Sequence, residues 1–539
     1  MHSYLEKRYP QLFFLLQMAG KSPQLMRFKN VHKNLNNLDA LYLFGLDQGE
    51  LYLELKPWLE EDKKRRLIIV LPDLAVLAGL ENHPLIIDPQ VELRGAFENA
   101  SLQTLSYDLA FAFPFKRIEV ISLEKTAKSR RFTYLIKRAT TLSQALFNEE
   151  YLYHGIVQNL VSNFKKLEGC FYVNNQEGAF KGIPAICCGA GPSLDELILQ
   201  LKKCQNQTLI IAGGSAITAL TNRGIEPHIG MAIDPNFEEY ERLKENRANQ
   251  MPLIFGGRLN HRVLEQFQGP KGYFRSFTGG PIEHWIEEQI GLKEGPISEV
   301  INFDALSITT SSISLAAFLG CSPIYLAGID LAYTNLNRYA KGVMKTSSVE
   351  LKRLKDDSRV SESYLYRLGL EKKRVHTNVK WVMEKNWVDA FSKNHKKIEM
   401  INLSKKGLGF KNVPQGELRR HPERGDLKGY VKEILLSRKL QNLKMDEALQ
   451  DLRKSFQRAS ELVLKMEEDQ KRAFLYEMDL EDELCYSLAL QNYQKRLEYK
   501  LKLEGVDTDP KSHPDYYPAL KKVISDYLQI FDKNDSESQ

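Results

Sequence analysis

Chemistry is most concentrated in the stretch Pro184-Ala-Ile-Cys-Cys-Gly-Ala-Gly-Pro-Ser-Leu-Asp-Glu196. An apolar run to Cys188 reads as a buried strand, and Gly189-Ala-Gly-Pro192 is too rich in glycine and proline to continue it. Ser193 and Asp195 can cap a helix that carries Glu196 in its first turn. A strand, a glycine turn and a helix start together offer backbone N–H groups and the positive end of a helix dipole, a site suited to phosphate. Gly189 and Gly191 would let such an anion approach the backbone closely. The same turns also join strands to helices with no ligand at all, so what surrounds this one decides its meaning.

Similar punctuation recurs downstream. Leu209 to Ala212 is a strand closed by Gly213-Gly214-Ser215, and Ile229 to Ile233 is closed by Asp234-Pro235. Leu253-Ile-Phe255 is closed by Gly256-Gly257, and Ile324 to Ala327 by Gly328 and Asp330. Short apolar strands separated by helical segments predict an α/β fold with a central doubly wound, Rossmann-like sheet. Ligands of such sheets sit beyond the carboxyl ends of the strands, where these glycines, hydroxyls and acids collect.

The elements around this centre follow from the same signals. Residues 1–125 predict a small N-terminal α/β domain, with strands Ala40 to Phe44, Leu67 to Leu71 and Ile118 to Ile121. Its Gly45-x-x-x-Gly49 is a poor match to a dinucleotide fingerprint, so a scaffold is expected there. Residues 126–180 read as a helical connector with a solvated basic face (Arg130, Arg131, Lys137, Arg138), and 181–414 as the central domain. Within that domain 341–374 holds ten Lys/Arg against five Asp/Glu and is expected to be a polar insertion, a lid or a docking surface. A helix near 377–391 and a strand at Ile398 to Asn402 resume the alternation. Residues 415–539 predict a helical C-terminal domain: Met445, Leu449, Leu452, Phe456, Ala459, Val463 and Met466 recur by four and three. A second helix is expected over 473–502.

The bulk properties limit the function classes. A chain of 539 residues holds about three domains. Its 43% apolar and 27% charged residues describe a globular chain, and a formal charge of +6 allows acidic ligands without requiring nucleic acid. Six cysteines without metal-type spacing read as reduced core residues of a cytoplasmic protein. Leu12 to Leu16 is too short and poorly flanked for a signal peptide, and no apolar run approaches the ~20 residues of a membrane span. There is no Walker Gly-Lys-Ser/Thr motif.

Four stretches in order resemble the core of the motility accessory factor (Maf) family, also described as the MptE-like domain. They are Gly189 to Leu194, Gly213 to Leu220, Arg223 to Pro227 followed by Ile233-Asp-Pro235, and Thr309-Thr-Ser-Ser312 followed by Leu319 to Thr334. Ile401 to Gly407 is similar to a degraded form of the family's Asn-Ala-x-Glu-Gly-Gly, with Lys405 and Lys406 in place of Glu-Gly. The resemblance is dense over 181–335 and weaker over 40–125 and 375–415. It implies a glycosyltransferase, similar to bacterial sialyltransferases, that moves a nonulosonic sugar from a CMP-activated donor to a hydroxyl of an acceptor protein, flagellin-like or other. No essential cofactor is implied. Gly189, Gly191, Pro192, Ser193, Gly214 and Ser215 would hold nucleotide and phosphate, with Thr310, Ser311 and Ser312 adding donors. Asp234 stands where sialyltransferases carry Asn, which leaves the donor nucleotide open; Asp330 belongs to the same set. Tyr333 and Tyr339 would meet the departing phosphate, and His376 would be the base, since an imidazole of pKa about 6.5 takes a hydroxyl proton near neutral pH. The MptE resemblance implies an alternative, diphosphate transfer from ATP with Mg²⁺ at Asp234 and Asp330. A third alternative is a degenerate relative that only binds a partner.

Overall fold

The computed structural model describes residues 3–18, 35, 38–95, 118–122, 155–244, 250–276, 279–297, 307–343, 364–504 and 509–536. The basic residues Arg130, Arg131, Lys137 and Arg138, and positions 344–363 of the polar insertion, lie outside them. The chain divides into two compact units. One comprises Met1–Tyr151, Leu462–Glu481 and Leu490–Val523; the other comprises Leu152–Glu461, Asp482–Ala489 and Ile524–Gln539.

The first unit is built on four parallel strands, β1 (Ala40–Phe44), β2 (Arg66–Leu71), β3 (Val91–Gly95) and β4 (Ile118–Ser122), in the order β3-β2-β1-β4. Every residue of β1 and β2 is buried, which is why Ala40–Phe44 and Leu67–Leu71 read as unbroken apolar runs. After β1, Asp47 accepts the N–H groups of Gly49 (2.9 Å) and Leu51 (3.1 Å) and so satisfies the start of helix Glu50–Glu61 itself. A Cβ on Gly49 would lie 2.6 Å from the His83 ring, so this glycine turn serves close packing.

The second unit carries an eight-stranded sheet. Its strands are β5 (Phe171–Tyr172), β6 (Ala185–Cys188), β7 (Leu209–Gly213), β8 (Ile229–Ala232), β9 (Leu253–Phe255), β10 (Lys271–Tyr273), β11 (Ile324–Ala327) and β14 (Met400–Asn402). They run β14-β11-β6-β7-β8-β9-β10-β5, and every pairing is parallel. From β6 the chain winds outward through β7 to β10; it then returns to the opposite side of β6 with β11 and β14. The topological switch therefore falls between β6 and β11, the position where a doubly wound sheet opens a crevice beyond its carboxyl ends. All six cysteines are free and buried.

Three sheet strands were not expected, β3 in the first unit and β5 and β10 in the second. β5 is only two residues long, and β10, Lys271-Gly-Tyr273, carries no apolar run of the kind that marks β9. The sheet thus begins at Phe171, ahead of residue 181. The described end of the polar insertion folds as an antiparallel hairpin, β12 (Tyr364–Leu368) with β13 (Arg374–Asn378).

Beyond Pro414 the described chain is helical as expected, and its helices are shared between the two units. All seven residues of the expected apolar seam are buried in helix Met445–Glu468. The single helix expected over 473–502 is instead two, Ala473–Glu481 and Gln491–Glu504. The break has a local cause: Glu483 is held by Arg458 (2.6 Å) and Ser455 (2.8 Å), and the Ser455 hydroxyl accepts the Cys485 N–H at 3.0 Å. No helix among the described residues is long and apolar enough to cross a membrane.

Candidate functional site

The glycine turn after β6 and the acid after β11 meet at the switch point. Gly189 N–H donates to Ala327 O and Gly191 N–H to Gly328 O, each at 2.8 Å. A Cβ on either glycine would lie 2.6 Å from Gly328 O, and one on Gly191 would also lie 2.8 Å from the Asp330 carboxyl carbon. Asp330 is 2% exposed and accepts three hydrogen bonds: the Ser193 N–H (3.0 Å) and Thr334 hydroxyl (3.0 Å) on Oδ2, and the Ser193 hydroxyl on Oδ1. Ser404, beyond β14, meets the Ser193 oxygen at 2.9 Å. Burial raises the Asp330 carboxyl above its ordinary pKa, and these donors pull it back. The N–H groups of Gly189, Gly191 and Ser193, expected to cradle a phosphate, are spent on protein acceptors. Their glycines serve the close approach of two strand ends, and Pro192 closes the turn into helix Leu194–Lys203.

The hydroxyl run after Ser307, expected to add donors to a ligand, belongs to a helix start. Ser307 and Thr310 form a reciprocal capping box at the start of helix Ile308–Phe318. Ser312 donates to Ile308 O at 2.7 Å, and Ser311 is 1% exposed. The Thr310 and Ser312 hydroxyls therefore bond within their own helix, which docks Ile308 against Gly213, where a Cβ would have no room.

A second group gathers at the ends of β7 and β8. Gly214 holds φ 46°, a left-handed value that favours glycine, and a Cβ there would lie 3.3 Å from Glu239 Oε1. Glu239 is 2% exposed and pairs with Arg242 through Nε (3.2 Å) and Nη2 (2.5 Å). The Arg242 guanidinium also lies 3.7 Å from Asp234, whose side chain remains 47% exposed. Burial, then the neighbouring Asp234 charge, pushes the Glu239 carboxyl up to about 7, against the pull of Arg242. Tyr339 shares the field of Arg242, and its ring lies under the Arg338 guanidinium at 5.5 Å. Helix 155–164 fastens the floor, since Asn159 Nδ2 donates to both Pro235 O and Arg258 O at 3.2 Å. Gly214, Ser215, Asp234 and Tyr339 are thus brought around two residues that the sequence reading passed over, Glu239 and Arg242. Their signal was present: an acid and a base three apart in helix Phe237–Leu243, immediately after Asp234-Pro235.

The loop that leaves Asp330 connects the groups. Tyr333 is 4% exposed and packs on Trp381 at 4.6 Å between ring centroids. Its N–H donates to His376 O at 2.8 Å, while the Thr377 hydroxyl donates to Leu331 O at 2.7 Å. Farther along, the Ala340 N–H donates to Ala190 O at 2.8 Å, bringing the loop back over the glycine turn. Tyr333 and Tyr339 therefore stand at opposite ends of one loop. Tyr333 sits beneath the hairpin that carries His376, and Tyr339 lies within the electrostatic reach of Arg242.

Comparison with known proteins covers this same region. Residues 158–336 match the family model described as 6-hydroxymethylpterin diphosphokinase MptE-like. No curated protein matches the chain. A solved Maf glycosyltransferase from Magnetospirillum magneticum AMB-1 aligns at 16% identity with a TM-score of 0.49, over 98% of this chain and 82% of that one. The span of the family model includes the glycine turn, Asp234, Arg242, the capped helix and Asp330, and it ends before Tyr339 and the hairpin. The similarity to the MptE-like family model is thus confined to residues 158–336, the part of the chain that builds the switch point.

Proposed function

We infer that the chain is a glycosyltransferase that moves a nonulosonic sugar from a CMP-activated donor to a protein hydroxyl. One observation carries the choice of chemistry. Both oxygens of Asp330 are engaged by protein donors, so of the two carboxylates a Mg²⁺-dependent reaction would recruit, only Asp234 is open. The groups gathered at the ends of β7 and β8 suit a metal-free transfer. Ser215 and Asp234 would take hydroxyls of the nucleotide, and Arg242 with Tyr339 would take charge on the departing phosphate. In that step the acceptor oxygen bonds to the anomeric carbon and the anomeric C–O bond to CMP breaks, its electron pair leaving with the phosphate. The acceptor proton passes to the His376 imidazole.

The expected result is that His376→Ala lowers turnover of a CMP-activated nonulosonic acid about 100-fold, the lower bound for a lost general base. Tyr333 is bound by the His376 main-chain oxygen, so alanine should leave the hairpin in place and CMP affinity unchanged. Full activity in this variant would remove His376 as base. The family model's own description favours a second reading, diphosphate transfer from ATP, in which half-exposed Asp234 would hold the metal.

A further inference from the structure

We propose that the β12–β13 hairpin is a docking platform for an acidic, unfolded segment of the acceptor protein. This rests on the transfer reading above. The hairpin lies outside the MptE-like span. It is fastened at both ends around Asp330. At its tip Leu370 N–H donates to Gly407 O at 3.0 Å, and Gly407 leaves no room for a Cβ against Asp330 O. At its base are the His376 and Thr377 bonds to the Asp330 loop. A rigid hairpin held in this way keeps one face toward solvent.

That face leads to the candidate base. Leu368 pairs with Arg374 and Tyr366 with His376, and opposed residues of an antiparallel ladder share a face. Leu368 is 68% exposed and Tyr366 45%, and the Tyr366 ring lies 4.9 Å from the half-buried His376 ring. The hairpin is also strongly one-signed. Arg367, Lys372, Lys373 and Arg374 are exposed against a single acid, Glu371, and none of the four cations makes an ion pair with another described residue. An exposed aromatic and a leucine flanked by unneutralised cations suit a peptide that offers carboxylates and small apolar side chains. A segment lying along Tyr366 would bring its own hydroxyl residues to His376. Rim charges of this kind set which partner is captured and how fast, and they leave donor binding alone.

The test uses the full chain and two fluorescein-labelled peptides, a Glu-Ser-Gly repeat and a Lys-Ser-Gly repeat, read by anisotropy. The acidic peptide should bind in preference to the basic one. The triple variant Lys372→Glu, Lys373→Glu, Arg374→Glu should weaken it at least about tenfold. CMP-induced thermal stabilisation should be the same in both proteins, which also reports that the variant is folded. Equal binding of the two peptides, unchanged binding by the variant, or tighter binding of poly(U) or of phosphatidylserine vesicles would overturn the proposal. Absence of a CMP effect in the wild-type chain would instead sink the donor reading, and the peptide result would still decide the platform.

Discussion

Asp330→Ala should cost the fold about 3 kcal/mol, because it takes the acceptor from three donors in a buried site. Each orphaned donor costs about 1–3 kcal/mol, and release from burying a charge offsets part of the sum. Asp330→Asn separates charge from geometry. Its carbonyl can still accept the Ser193 N–H and the Thr334 hydroxyl, and the Ser193 hydroxyl can rotate to accept from its amide, so about 1 kcal/mol is expected. Urea denaturation midpoints of the three proteins decide the matter. A near-neutral alanine variant would mean that the network does not bind β6 to β11. The pH dependence has a definite sign. The folded-state pKa is raised, so this group's contribution is fully present in acid and declines as pH rises through that value.

The second large effect is also a matter of protons. At the ends of β9 and β10, Glu283 and Glu287 are both 0% exposed. Glu283 accepts the Gly257 N–H at 2.8 Å, and the Tyr273 hydroxyl donates to Glu287 at 2.6 Å. Arg275 and His284 both face Glu287, at 2.9 and 3.2 Å, leaving Glu283 with less compensation. Burial first and Glu287 second push the Glu283 carboxyl up to about 8. The folded chain therefore holds a proton that the unfolded chain releases near pH 4.5. Stability from this source is complete below that pH and is lost progressively up to about 8, at about 1.4 kcal/mol per unit. Glu283→Gln keeps the acceptor for Gly257 and removes the titration. The variant should gain on the wild type as pH rises from 5 to 8 and then run parallel to it. Parallel curves across the whole range would show that Glu283 does not hold the proton.

Much of the architecture was legible because burial writes itself into long or periodic apolar runs. The helix seam from Met445 to Met466 and the strands β1, β2, β6 and β7 are cases of this. Strands β5 and β10 were not, because pairing with neighbours defines them more than their own composition does. The candidate site divides in the same way. The glycine turn is marked by type and spacing, yet the N–H groups expected to serve a ligand go to Ala327, Gly328 and Asp330, at and just past the end of β11. Sequence reports which donors exist; only the fold reports which are already spent. Glu239 and Arg242 were missed for the converse reason. Charged residues three apart in a helix usually lie on a solvated face, and here Gly214 makes room for the Glu239 carboxylate to be buried. His376 was picked out by its place in the chain order, and the hairpin that presents it lay within a stretch expected to be a polar insertion, a lid or a docking surface.

The most direct test of the account is a calorimetric titration of the full chain with CMP, CDP, UDP and ATP, each in EDTA and in excess Mg²⁺. CMP should bind in EDTA with no gain from metal, and Arg242→Ala should weaken it about tenfold or more, as expected for the loss of a charge-assisted contact to phosphate. Binding of ATP alone, and only with Mg²⁺, would contradict metal-free transfer and establish the diphosphate reading in its place.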